Sequence, residues 1–101
     1  MGLREIMWSQ RAMKGYKRVL WWLEITGGNN RADNFYREMM RAVEMLSATP
    51  EKGTLNVLFS TPRRRYYGYV VHGYEVMYRY TQSALYVLAI RSTMTREYQE
   101  T

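Results

Sequence analysis

The chain has no cysteine, a single histidine at His72, and no apolar run of membrane-spanning length. Without cysteine there is no disulfide, no thiolate nucleophile and no zinc–cysteine cluster, and a cytoplasmic setting is the expectation. One histidine adds no metal cluster, so neither metal nor other cofactor is expected. The start, M-G-L-R-E-I-M-W, lacks the long apolar core of a secretory signal, and no stretch approaches the roughly 20 apolar residues of a membrane helix, so no membrane association is expected. Neither an internal repeat nor a low-complexity tract interrupts the 101 residues, which are read as one domain, 1–101.

What is present is apolar and basic. With 47% hydrophobic residues, a chain of this length can bury roughly 60–70% of its unfolded surface. Fifteen Lys and Arg against nine Asp and Glu leave a formal charge of +6 and a pI near 9.8. That balance suits an anionic partner, nucleic acid or an acidic protein, and also suits plain solubility.

The most informative stretch is Tyr74 to Arg91. Tyr74, Val76, Tyr78 and Tyr80 alternate with Glu75, Met77 and Arg79, the pattern of a half-buried strand. Thr81, Gln82 and Ser83 reverse the chain. Ala84 to Ile90 is then an unbroken apolar run, short for a helix and suited to a strand covered on both faces.

In chain order, Ile6 to Trp8 reads as a short strand and Ser9 as a helix N-cap. From Gln10 to Thr26, Ala12, Met13, Tyr16, Val19, Leu20 and Leu23 recur at helical spacing. Arg11, Lys14, Lys17 and Arg18 lie off that stripe, as do Trp21 and Trp22, which either anchor a partner or tuck one ring under the next loop. Gly27, Gly28, Asn29 and Asn30 predict a break. A second helix runs from about Arg31 to Ala48, with Ala32, Phe35, Met39, Ala42, Val43 and Leu46 as its stripe, packed antiparallel on the first. Thr54 to Pro62 reads equally as short strand or apolar loop. Tyr66 to Val71 is a further strand, turned by His72-Gly73. The expected fold is α+β in two layers, β-α-α-β-β-β, a helical hairpin on a small, mainly antiparallel sheet.

Several of these segments, in this order, resemble the RelE/ParE superfamily of toxins from bacterial type II toxin–antitoxin modules. They are W-S-Q-R-A at Trp8 to Ala12, A-V-E-M-L-S-A-T-P-E-K-G at Ala42 to Gly53, V-H-G-Y-E-V-M-Y-R-Y at Val71 to Tyr80, and L-Y-V-L-A-I-R at Leu85 to Arg91. The resemblance covers nearly the whole chain. It implies a toxin neutralised by a cognate, acidic antitoxin in a hetero-oligomer, with DNA gyrase as target in ParE-like members and messenger RNA on the ribosome in RelE-like ones.

A metal-free ribonuclease needs a proton acceptor for the 2′-hydroxyl, cations for the charged transition state and an acid for the leaving oxygen, and the resemblance implies that cleaving members carry lysines and arginines on the middle strands and a tyrosine or histidine near the C-terminus. Here the second-strand positions read Tyr66, Tyr67, Gly68 and Tyr69, and Glu75 stands where RelE-like chains often have arginine. The residues left for cleavage are His72, Arg79, Arg91, Arg96 and Tyr98, with Arg63 to Arg65 as further cations. His72 also reads simply as a turn residue, and Arg79 as a structural cation paired with Glu75. Arg63, Arg64 and Arg65, with Tyr67 and Tyr69, are candidates for binding a target, since arginines hold phosphates and tyrosines stack on bases; the same arginines also read as a solvated loop. Trp21 and Trp22 are the candidates for antitoxin binding. The resulting order of expectation is a gyrase-binding toxin, then a ribosome-dependent endoribonuclease, then a non-toxic basic binding module of the same fold.

Overall fold

The computed structural model describes residues 3–93. Strand β1, Glu5–Trp8, leads directly into the helical segment α1, Gln10–Ala48. Ser9 joins them as expected: its Oγ accepts the Ala12 N–H at 3.0 Å and donates to the Leu88 carbonyl at 3.0 Å, so one hydroxyl caps the helix and ties it to the sheet.

α1 is broken at Gly28, whose φ of 81° no side-chain-bearing residue adopts cheaply. The break folds residues 10–27 and 29–48 into two antiparallel arms. A straight helix would separate residues 16 and 36 by about 30 Å, yet the Tyr16 ring lies 6.0 Å from Phe35 and 6.4 Å from Tyr36. Ala12, Tyr16, Val19 and Leu23 from the first arm meet Ala32, Phe35, Met39, Val43 and Leu46 from the second in one core. Met13, placed in the buried stripe by spacing, is 43% exposed. At about 100° per residue it lies too far round from Ala12 to reach the sheet.

A 3-10 turn, Pro50–Lys52, follows, then β2 (Thr54–Leu55), β3 (Tyr67–Val71), β4 (Tyr74–Tyr80) and β5 (Ala84–Ser92). The ambiguous stretch 54–62 is therefore a two-residue strand opening a loop. The sheet order is β1-β5-β4-β3-β2, antiparallel except for β1 alongside β5. β3 and β4 are joined by the two-residue turn His72-Gly73, both with positive φ (49° and 81°), the geometry that matches strand twist in a tight hairpin.

The alternation on β4 is as read from sequence: Val76 and Tyr78 are fully buried, and Tyr74 and Tyr80 pack against the same core. β5 behaves less simply. Met77 opposes Ala89 but Tyr78 opposes Val87, which leaves Leu88 as a bulge. The bulge resets the two-residue period, so that Leu85, Val87 and Ile90 all face the helices. Among the described residues, no helix is long and apolar enough to cross a membrane.

Tyr78 ties the end of the helical layer to the sheet. Its hydroxyl donates to the Pro50 carbonyl and accepts the Gly53 N–H at 3.1 Å. Burial raises the phenol from its ordinary 10.0 to about 12, with the Gly53 bond acting in the opposite direction.

Candidate functional site

On the sheet face turned away from the helices, β4 presents Glu75, Met77 and Arg79, and β5 presents Tyr86 and Arg91. The charged groups here are engaged. Arg91 Nε and Nη2 each lie 3.0 Å from Glu75 Oε1, and Gly68 makes room for that carboxylate, since a Cβ there would clash with Glu75 Oε2. The Arg79 guanidinium sits 4.4 Å from the centre of the Tyr86 ring, a cation–π arrangement. The expected Glu75–Arg79 pair is thus corrected: across the antiparallel ladder Glu75 stands directly opposite Arg91, nearer than its neighbour two residues along the strand.

His72 faces the other layer. At the β3–β4 turn its Nε2 lies 2.6 Å from Glu38 Oε1 on the second arm of α1. It stands between two clefts of about 370 and 340 Å³, one running along Arg41, Met45 and Val70, the other along Arg31, Asn34 and Phe35. His72 is therefore directed to the helices, and Arg79 and Arg91 to the opposite side of the sheet. Arg96 and Tyr98 lie outside the described residues.

Arg63, Arg64 and Arg65 are exposed in the 56–66 loop. The loop is built rather than slack: Asn56 Oδ1 accepts the N–H groups of Leu58 and Phe59, Ser60 Oγ bonds both to the Tyr66 N–H and to its carbonyl, and the Arg64 N–H bonds back to Thr61. Phe59 from this loop lies 5.9 Å from the Arg91 guanidinium, so the loop reaches the outer face of the sheet. Tyr67 and Tyr69 do not join these arginines. They point to the helix side, where the Tyr67 ring stacks on Tyr78 at 5.7 Å and approaches Tyr80 at 5.3 Å. The Tyr67 ring is taken up by the protein's own aromatic cluster, and Tyr69 packs against the core.

Trp21 and Trp22 remain uncovered, at 61% and 53% exposed, and Ile25 one turn on is 59% exposed. Neither ring tucks under the 27–30 turn.

The sequence reading assigned no role to Arg11, Lys14 and Arg18, yet the fold places them in a cleft of about 810 Å³ between the first arm and the end of β5. Arg91, whose guanidinium is held by Glu75, also borders it, and none of its lining residues is acidic. Gly15 sets the floor: a Cβ there would stand 2.8 Å from the Ile90 carbonyl oxygen, so glycine alone lets helix and strand approach this closely. The available signal was the 3-4-3 spacing of Arg11, Lys14, Arg18 and Trp21; the juxtaposition with Arg91 had none.

Among the described residues no metal-ligating cluster exists, and the cations are spread over two surfaces.

Comparison with known proteins agrees with the fold. No curated protein sequence matches the chain. A solved structure described as a chromosomal ParDE toxin–antitoxin system from P. aeruginosa superimposes with a TM-score of 0.70 at 12% identity, covering 89% of this chain and 96% of that one. The sequence profile of the ParE toxin of the type II toxin–antitoxin system parDE matches residues 6–96, from β1 to beyond β5. With nearly the whole fold inside that match, the chain belongs to the ParE toxin family of type II toxin–antitoxin systems.

Proposed function

We propose that the protein is a toxin held inactive by a cognate antitoxin, and that it acts by binding its target, DNA gyrase, rather than by cutting RNA. The observation carrying this reading is the separation, among the described residues, of His72 from Arg79 and Arg91. His72 is directed to Glu38 in the helical layer, whereas Arg79 and Arg91 lie on the far face, engaged by Tyr86 and Glu75. A general base and the cations stabilising the same transition state must converge on one phosphate. The tyrosines in the places where a cleaving relative carries charge support the same reading, since Tyr67 is part of the aromatic cluster. Family membership supports the toxin–antitoxin setting.

Expression of the chain in bacterial cells, with plasmid supercoiling and messenger integrity followed in parallel, tests it. Loss of supercoiling with intact messenger is expected, and His72→Ala should remain toxic. Cuts in translated messenger that His72→Ala reduces by roughly 10²–10⁴-fold, the usual worth of a proton-transfer group, would overturn the proposal.

A further inference from the structure

The outward face of the first α1 arm changes character along its length. Arg11, Lys14 and Arg18 follow one another at three- and four-residue steps, and the same steps continue into Trp21, Trp22 and Ile25. At about 100° per residue all six fall within roughly one third of the helix circumference, opposite Ala12, Tyr16 and Val19. The basic half borders the cleft against β5. The apolar half stands in solvent.

β5 is also open beside this face. β1 pairs with it only as far as Val87, and Ser9 takes the last contacts at Val87 and Leu88 before the chain turns into the helix. From Ala89 onward the side of β5 away from β4 looks onto the cleft, not onto another strand among those described.

We propose that this face is one continuous docking track for a partner protein segment carrying carboxylates at one end and large apolar side chains at the other. The carboxylates would enter the cleft among Arg11, Lys14 and Arg18; the apolar side chains would cover Trp21, Trp22 and Ile25. This rests on the reading of the chain as a toxin restrained by an antitoxin, and it assigns the chemistry of the restraining segment. From Arg11 to Ile25 the track is about 21 Å long, which a partner spans with about 14 residues as a helix or about six extended. Charge selects an acidic ligand, because Arg11, Lys14 and Arg18 line the cleft with no carboxylate among its lining residues, whereas Arg91 is already paired with Glu75. Its apolar half selects a protein over nucleic acid: the cations end at Arg18, about 10 Å along the track, whereas a phosphate backbone would call for charge along its full length. Ile25 has neither charge nor ring to offer a nucleotide.

The test is selection of a random 15-residue peptide library on the immobilised full chain, with tryptophan fluorescence as the affinity readout. Selected peptides should share an acidic block and a separate apolar block. Trp21→Ala or Trp22→Ala should weaken them tenfold or more at any salt concentration. Arg18→Glu should weaken them tenfold or more in low salt, with the difference shrinking as salt rises. All three positions are exposed, so circular dichroism should show the fold unchanged. Peptides lacking either block, peptides indifferent to these variants, or no selected peptide at all would overturn the proposal. So would a (dT)15 oligonucleotide that binds with the same variant sensitivity, which would make the track a nucleic-acid site. The selection does not depend on toxicity, so a failed supercoiling assay and a failed selection are told apart.

Discussion

The two faces of the sheet use tyrosine and arginine in opposite ways. Towards the helices, Tyr67 stacks on Tyr78, Tyr80 packs tilted against both, and the Tyr78 hydroxyl bonds Pro50 and Gly53. Away from the helices, Tyr86 lies under the Arg79 guanidinium, and Arg91 is held by Glu75. The first face is closed by the helical hairpin and gains from area removed from water. The second has only side chains to cover it, so its contacts are between groups that remain partly hydrated and contribute far less each.

Stability measurements should reproduce that contrast in order of size. Leu46, fully buried between the helices and the sheet, should cost about 2–5 kcal/mol on replacement by alanine, measured by denaturant unfolding. Equal losses for Leu46→Ala and Arg79→Ala would show that the two faces are not unequal as described. Tyr78→Phe keeps the ring but leaves the Pro50 carbonyl and the Gly53 N–H without their partner, at an expected cost of about 1–3 kcal/mol.

The same tyrosine predicts an alkaline limit. Burial raises Tyr78 from 10.0 to about 12, and Tyr16 likewise, with Tyr36 adding to the second. A group whose folded pKa is raised holds its proton more tightly in the folded state. Its contribution is complete below pH 10 and is lost as pH rises towards 12. Thermal melts should fall across that window, and the fall should be smaller in Tyr78→Phe. On the outer face, Glu75→Gln should cost about 1 kcal/mol at most, because the pair with Arg91 is only partly buried. Arg79→Ala should cost about 0.5–1 kcal/mol, the usual worth of an exposed cation–π contact.

Most of the architecture was legible because local physics dictated it. Ser9, Gly28 and His72-Gly73 are places where a side-chain oxygen or a positive φ leaves few alternatives, and each ends or begins an element where spacing placed it. The buried faces of both helical arms followed from periodicity, with Met13 as the exception. The 54–62 stretch stayed ambiguous because Leu55, Val57, Leu58 and Phe59 suit either a strand or a loop; only pairing with β3, which stops after two residues, decides it.

The candidate surfaces divide along the same line. That Trp21 and Trp22 lie off the buried stripe was readable from their angular position on the helix, a property of the chain within a few turns, whereas that neither ring tucks under the next loop was decided by the fold. The partners of the charged groups were not. Glu75 met Arg91 because strand register set them opposite each other, Glu38 met His72 because the hairpin at Gly28 brought the second arm over the β3–β4 turn, and Tyr67 turned inward because β3 shares its facing with β4. Arg11, Lys14 and Arg18 acquired a cleft only when Gly15 let the helix settle against Ile90. The sequence alone determined where elements start, stop and turn their apolar sides, since those depend on neighbours within about four residues. Which charges face each other depends on the register and approach of elements far apart in the chain, and that was decided by the tertiary structure.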